Sequence, residues 1–176
     1  FIDLQSNLIY GTIPTTTSLI TSLTHLTLSN NRFKDTLPIV SPTLNHLDIS
    51  LNFFTGNIPS NYLNGLLLTT LKISDNLLLG PIPTYMGNMT WLVHLSIDNN
   101  FFNSTIPSEL GLLTSLTELD ISFNNILGTL PITFQKLILL QQLRINNNYF
   151  SNIFPNEITY MPLLEVLNIG NNNFHG

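Results

Sequence analysis

One asparagine recurs along the whole chain, at Asn7, Asn31, Asn52, Asn76, Asn100, Asn124, Asn148 and Asn172, in steps of 24 residues broken by a single step of 21. Seven residues after each of the first seven stands a proline: Pro14, Pro38, Pro59, Pro83, Pro107, Pro131 and Pro155. Two residues after each asparagine stands a large apolar side chain: Ile9, Phe33, Phe54, Leu78, Phe102, Ile126, Phe150 and Phe174. Three registers held over the full length point to a stack of short, similar coils. A single coil cannot bury its own apolar face, but neighbours in a stack share one core.

Each coil reads the same way. A pair of alternating apolar residues precedes the asparagine, as in Leu26/Leu28, Leu71/Ile73 and Leu119/Ile121. Alternation of this kind predicts a short strand with one buried face. The chain must then turn. Gly11, Gly56, Gly80, Gly128 and Gly176 lie four residues past the asparagine, where a permissive backbone helps. Beyond the proline, stretches such as "SELGLLTSL" space Leu110, Leu113 and Leu116 by three, which after Ser108 predicts a helical or 3₁₀ turn.

The asparagine follows from the turn. A strand that turns inside a stack leaves backbone N–H and C=O groups without ladder partners, and these cannot stay dry and unpaired. A buried asparagine offers both a donor and an acceptor. It can satisfy groups of its own turn and of the next coil. In "LTHLTLSNNRF", Asn31 is in register and is expected to point inward, whereas Asn30 is one position off and is expected to face solvent.

Composition narrows function more than fold. Only 9% of the residues are charged against 43% hydrophobic, and the net charge is −5. Asn, Ser and Thr must therefore solvate most of the surface, and with no Lys/Arg cluster nucleic acid is not an expected partner. There is no cysteine, so neither a disulfide framework nor a thiolate metal site is expected in this stretch. No apolar run approaches the length of a membrane span, and "FIDLQSN" has no basic leader. Motifs of nucleotide binding, zinc hydrolysis and serine catalysis are missing. The chain is expected to be non-catalytic and to use no cofactor.

The pattern L-x-x-L-x-L-x-x-N-x-L-x-G-x-I-P resembles the leucine-rich repeat of the plant-specific type, most closely in "LTELDISFNNILGTLPITFQKLILL" (116–140) and "LTTLKISDNLLLGPIPTYMGNMTWL" (68–92). The resemblance covers the whole chain. It implies an α/β repeat solenoid: a curved right-handed array with a parallel concave sheet, short 3₁₀ or helical convex segments, and added short strands beside the sheet. It further implies a receptor-like ectodomain or secreted protein at the cell surface. Three departures stand out. The second coil, "DTLPIVSPTLNHL", is three residues short and carries Pro42, which argues against a helix there. Asp35, Ser104 and Asn152 replace the turn glycine, which need not break the turn because Asn and Asp tolerate left-handed geometry. The cysteine-paired caps common in such proteins are missing. Residues 1–176 are therefore read as one array of seven to eight repeats, an excerpt of a longer chain.

Four sets of residues carry the functional expectation. On the concave face the strand positions run Asp3, Gln5, Thr27, Ser29, Asp48, Ser50, Lys72, Ser74, Ser96, Asp98, Asp120, Ser122, Arg144 and Asn146. Among these, Asp48, Lys72, Asp98, Asp120 and Arg144, with the nearby Phe123, are the binding candidates for a peptide, glycan or protein partner. Directly after the asparagine, Phe53, Leu77, Phe101 and Tyr149 form an apolar lateral stripe if exposed together. His25, His46 and His94 share one strand position, where His25 and His46 can stack; two imidazoles do not complete a metal shell. Two N-glycosylation sequons, at Asn88 and Asn103, favour a secreted location. The leading reading is an extracellular recognition module. The alternative is a structural subunit of a cell-wall, adhesive or filamentous assembly, through self-association. Ice binding or inhibition of a wall enzyme is a weaker third.

Overall fold

The structure, a computed structural model, describes residues 1–59 and 67–175. Eight strands form one parallel sheet in chain order: Ile2–Asp3, His25–Thr27, His46–Asp48, Thr70–Lys72, His94–Ser96, Glu118–Asp120, Gln142–Arg144 and Val166–Asn168. Equivalent positions pair, so Leu47 lies between Leu26 and Leu71. A slip by one residue would turn every such leucine to solvent, which fixes the register.

A second eight-stranded parallel sheet runs beside the first: Tyr10–Gly11, Arg32–Asp35, Phe53–Gly56, Leu77–Pro81, Phe101–Ser104, Asn125–Gly128, Tyr149–Asn152 and Asn173–Phe174. Its inner face supplies Phe33, Phe54, Leu78, Phe102, Ile126 and Phe150, all buried. Neighbouring coils stack their rings; the Phe33 and Phe54 centroids lie 6.4 Å apart. The core is thus one continuous column between the two sheets and the convex segments.

Two left-handed residues bend each coil. The first stands immediately before the recurring asparagine: Ser6, Asn30, Leu51, Asp75, Asn99, Phe123, Asn147 and Asn171 all have positive φ. The second is the turn-glycine position. Asp35 (φ 89), Ser104 (φ 74) and Asn152 (φ 87) adopt it as Gly56 (φ 80) does. Asp35 and Asn152 each accept a hydrogen bond from the next backbone N–H, through Oδ1 at 2.9 and 3.0 Å. Gly176 lies outside the described residues.

The convex turns are 3₁₀ segments of five residues: Thr15–Leu19, Thr84–Asn88, Ser108–Leu112, Ile132–Lys136 and Asn156–Tyr160. The recurring proline, not a serine or threonine, occupies each N-cap, with no side-chain capping bond. Proline suits this place because its fixed φ feeds the turn and its missing N–H would have had no partner. The short second coil contains no 3₁₀ segment between Asp35 and His46. There the Ser41 hydroxyl donates to Ile20 O and the Thr43 hydroxyl to Leu23 O, both at 2.8 Å, tying the shortened arm to the coil before it. The corresponding arm of the third coil includes residues 60–66, outside the described residues.

Candidate functional site

The asparagines come first because they hold the face on which the other residues stand. Asn31, Asn52, Asn76, Asn100, Asn124 and Asn148 are buried, with only 5–6% of their surface exposed. Asn124 is typical. Its Nδ2 donates to Ile97 O (3.1 Å), Ile121 O (3.3 Å) and Ser122 O (3.0 Å), and its Oδ1 accepts from Phe102 N at 2.9 Å. Ile97 and Phe102 belong to the preceding coil, not the next one as the sequence reading had it. Each amide therefore reaches back, tying both sheets of the earlier coil to its own turn. Asn172 makes the same set of bonds, whereas the more exposed Asn7 donates within its own turn to Leu4 O and Gln5 O. Asn30 is exposed, being the left-handed turn residue before the amide that points in.

Over the first sheet lies a recess of about 300 Å³, lined by residues from Asp48 in the third coil to Arg144 in the seventh. A recess shared by five coils agrees with the concave face that the resemblance implies. It brings together four of the six expected binding residues: Asp48, Lys72, Asp120 and Arg144. Asp98 is half-buried and Phe123 is exposed next to the ladder residue Asn124; neither lines the recess. The serine row is not the open hydroxyl surface that alternation predicts. Ser29, Ser50, Ser74, Ser122 and Asn146 are all buried, because each strand ends two residues earlier and the chain is already turning inward.

Those serines instead hold the carboxylates. Ser50 gives both its N–H (3.0 Å) and its hydroxyl (2.6 Å) to Asp48 Oδ1, and Ser122 does the same for Asp120. The Ser96 hydroxyl donates to Asp98 Oδ1 at 2.6 Å. Lys72 pairs in register with Asp48, and Arg144 with Asp120, but neither cation forms an ion pair with its neighbour. Arg144 donates to Gln142 Oε1 at 2.7 Å. Among the described residues the one close approach of a basic side chain to a carboxylate is His94 Nδ1 to Glu118 Oε2, at 3.2 Å, inside the same recess.

The acids on this face crowd one another. Burial, with Asp120 nearby, raises the Asp75 carboxyl above its usual range. Burial likewise raises Asp98, against the Ser96 hydrogen bond and with Asp120 adding to the rise. His25 and His46 stack with centroids 5.5 Å apart, and burial lowers His46, opposed by Asp48. Sequence reasoning missed Asp75 and Leu51 as recess residues. Both occupy the left-handed position before the asparagine, and that register was available in the sequence.

The lateral stripe is open. Phe53 is 51% exposed, Leu77 41%, Phe101 51% and Tyr149 55%. Leu79 stands opposite Phe101, and Leu127 opposite Tyr149, on the outer face of the second sheet. Asn103 and Asn125 pair between the two groups and split the stripe. Of the sequon residues, Asn88 ends a convex 3₁₀ segment and Asn103 lies in a strand of the second sheet; both are exposed.

Family models described as leucine rich repeat match residues 114–174, and again 22–41, 67–89 and 91–113, together most of the chain. Receptor-like protein 54 of Arabidopsis thaliana is 38% identical over 72 residues, which is 41% of this chain and 9% of that protein. The ectodomain of the Arabidopsis thaliana receptor kinase GASSHO1/SCHENGEN3, solved with CASPARIAN STRIP INTEGRITY FACTOR 2, superposes with a TM-score of 0.93 at 32% identity, over 99% of this chain and 21% of its own. The Arabidopsis HAESA ectodomain, solved with an extended IDA peptide hormone, gives 0.91 at 33%, over 96% and 29%. A plant ice-binding protein gives 0.86 at 26%, over 96% and 56%. The chain spans about a tenth of the curated relative and less than a third of either receptor ectodomain.

Proposed function

The chain belongs to the leucine-rich repeat family, and from that premise we propose that it is a non-catalytic recognition module displayed outside the cell, binding an extended peptide across its concave recess. Supporting this, HAESA was solved with a peptide hormone, at a third sequence identity over nearly all of this chain.

The observation that carries the reading is the unneutralised charge in the recess. Among the described residues neither Lys72 nor Arg144 forms an ion pair, although Asp48 and Asp120 lie beside them in register with Oδ1 held by serines. Asp75, Asp98 and Asp120 repel one another on the same face. A ligand with an acidic group over Lys72 or Arg144 and a basic group over the aspartates relieves both. Strands stand about 4.8 Å apart, so Lys72 and Arg144, three coils apart, are separated by roughly 14 Å. About four residues of extended peptide cover that span. Leu51 adds an apolar contact in the recess, and Phe123 one beside it.

A displayed library of random peptides, selected on the immobilised chain, tests the reading. Enriched peptides should carry both charge signs and lose on the order of tenfold in affinity for Lys72→Glu. Failure to enrich any peptide, or equal affinity for the variant, contradicts it.

A further inference from the structure

We propose that Asn103 is an N-glycosylation site whose first N-acetylglucosamine seats on the Phe101 ring, so that sugar covers the central part of the lateral stripe. The proposal rests on the extracellular placement argued above, but not on peptide binding.

Phe101, Asn103 and Ser104 belong to one strand, and both Phe101 and Asn103 are exposed while Phe102 between them is buried. Residues two apart in a strand share a face, with Cα atoms about 6.6 Å apart. The Asn103 amide therefore stands beside the Phe101 ring. Leu79 pairs with Phe101 and the exposed Pro81 with Asn103 on the neighbouring strand, which extends the apolar floor. A pyranose presents a face of C–H groups, and an aromatic face is the surface that such groups pack against. Ser104 at φ 74 turns the chain away directly after the asparagine, and Thr105 completes the sequon from an exposed position. The Thr105 methyl lies over Gly128 of the next coil, where a Cβ would stand only 2.8 Å from it. The hydroxyl-bearing residue is thus held in place by the stack. Asn88, at the end of a 3₁₀ segment, has no aromatic two residues before it, since Met86 there is buried.

The transfer itself is a substitution at carbon. Asn103 Nδ2 bonds to the anomeric carbon of an oligosaccharide carried on a polyprenyl diphosphate and gives up one proton, which passes overall to the departing diphosphate or to water. The bond from that carbon to the diphosphate oxygen breaks, and the diphosphate leaves with the electron pair.

The test is to secrete the 176-residue chain from eukaryotic cells behind a cleavable leader and to read site occupancy by mass spectrometry and melting by calorimetry. Asn103 should be occupied. The glycosylated protein should melt about 2–4 °C above Asn103→Gln and above Thr105→Val; the valine keeps the methyl over Gly128 while removing the sequon. In a Phe101→Ala background the same glycan should give no gain. A secreted chain bare at Asn103, or an equal gain with and without Phe101, overturns the proposal. Forced secretion separates this from the extracellular reading, which falls instead if the native protein is found inside the cell.

Discussion

At the residue scale, the ladder asparagines and the residues just before them have opposite duties. Asn124→Ala leaves three carbonyls and the Phe102 N–H short of a partner, so chemical denaturation should show a loss of at least about 1–3 kcal/mol. Phe123 is the contrasting case. It holds φ 52 where most other coils place Asn, Asp or Ser, and a left-handed conformation costs an ordinary side chain about 1–2 kcal/mol. Phe123→Asn should therefore raise the denaturation midpoint; a drop would mean that the ring packs more than its half-exposed surface indicates. Asp98 provides a pH test. Its folded carboxyl titrates above 3.8, so ionisation at neutral pH works against the fold. Asp98→Asn keeps an acceptor for Ser96. It should melt higher than the parent at neutral pH, with the gain shrinking as pH falls through the raised value toward 3.8. The inward amide was legible in the sequence because its period is strict. Its direction was not, since a donor–acceptor pair fits the coil on either side, and only the placed Ile97 and Phe102 groups decide.

At the element scale, successive 3₁₀ segments approach closely at two glycines. A Cβ on Gly111 would stand 2.5 Å from Thr133 O, and one on Gly87 would stand 2.4 Å from Glu109 O. These glycines permit close approach of one segment to the next. Neither Gly87 nor Gly111 has positive φ. Gly111→Ala should cost roughly 1–3 kcal/mol by calorimetry, although alanine is otherwise the better residue in such a turn. The proline-led turns were legible from spacing, apart from the cap: Ser108 and Thr84 lie inside the segments rather than before them. The missing turn of the second coil was legible too, from its length and Pro42. Its replacement by the Ser41 and Thr43 hydroxyls was not, because those bonds reach about 20 residues back to Ile20 and Leu23.

At the scale of the whole molecule, the repeat dictates a stack, and the stack sets two faces with different chemistry. The concave face has its charges arranged across coils; the lateral face has exposed rings and leucines in two groups. Which strand positions reach solvent could not be read from alternation alone, since the serine row turns inward before the strand pattern ends. Four of the charged recess residues, Asp48, Lys72, Asp120 and Arg144, in contrast stood out in the sequence, whereas Asp75 and Glu118 did not. The same solenoid also occurs in a plant ice-binding protein, so fold alone does not assign the task, and the charges must. The most direct measurement is a charge-swap titration with a peptide selected on the parent chain. Lys72→Glu should weaken that peptide on the order of tenfold, and exchanging the peptide's facing acidic residue for lysine should restore affinity for the variant while weakening it for the parent. If the swapped peptide discriminates between neither protein, the ligand does not lie across the concave recess.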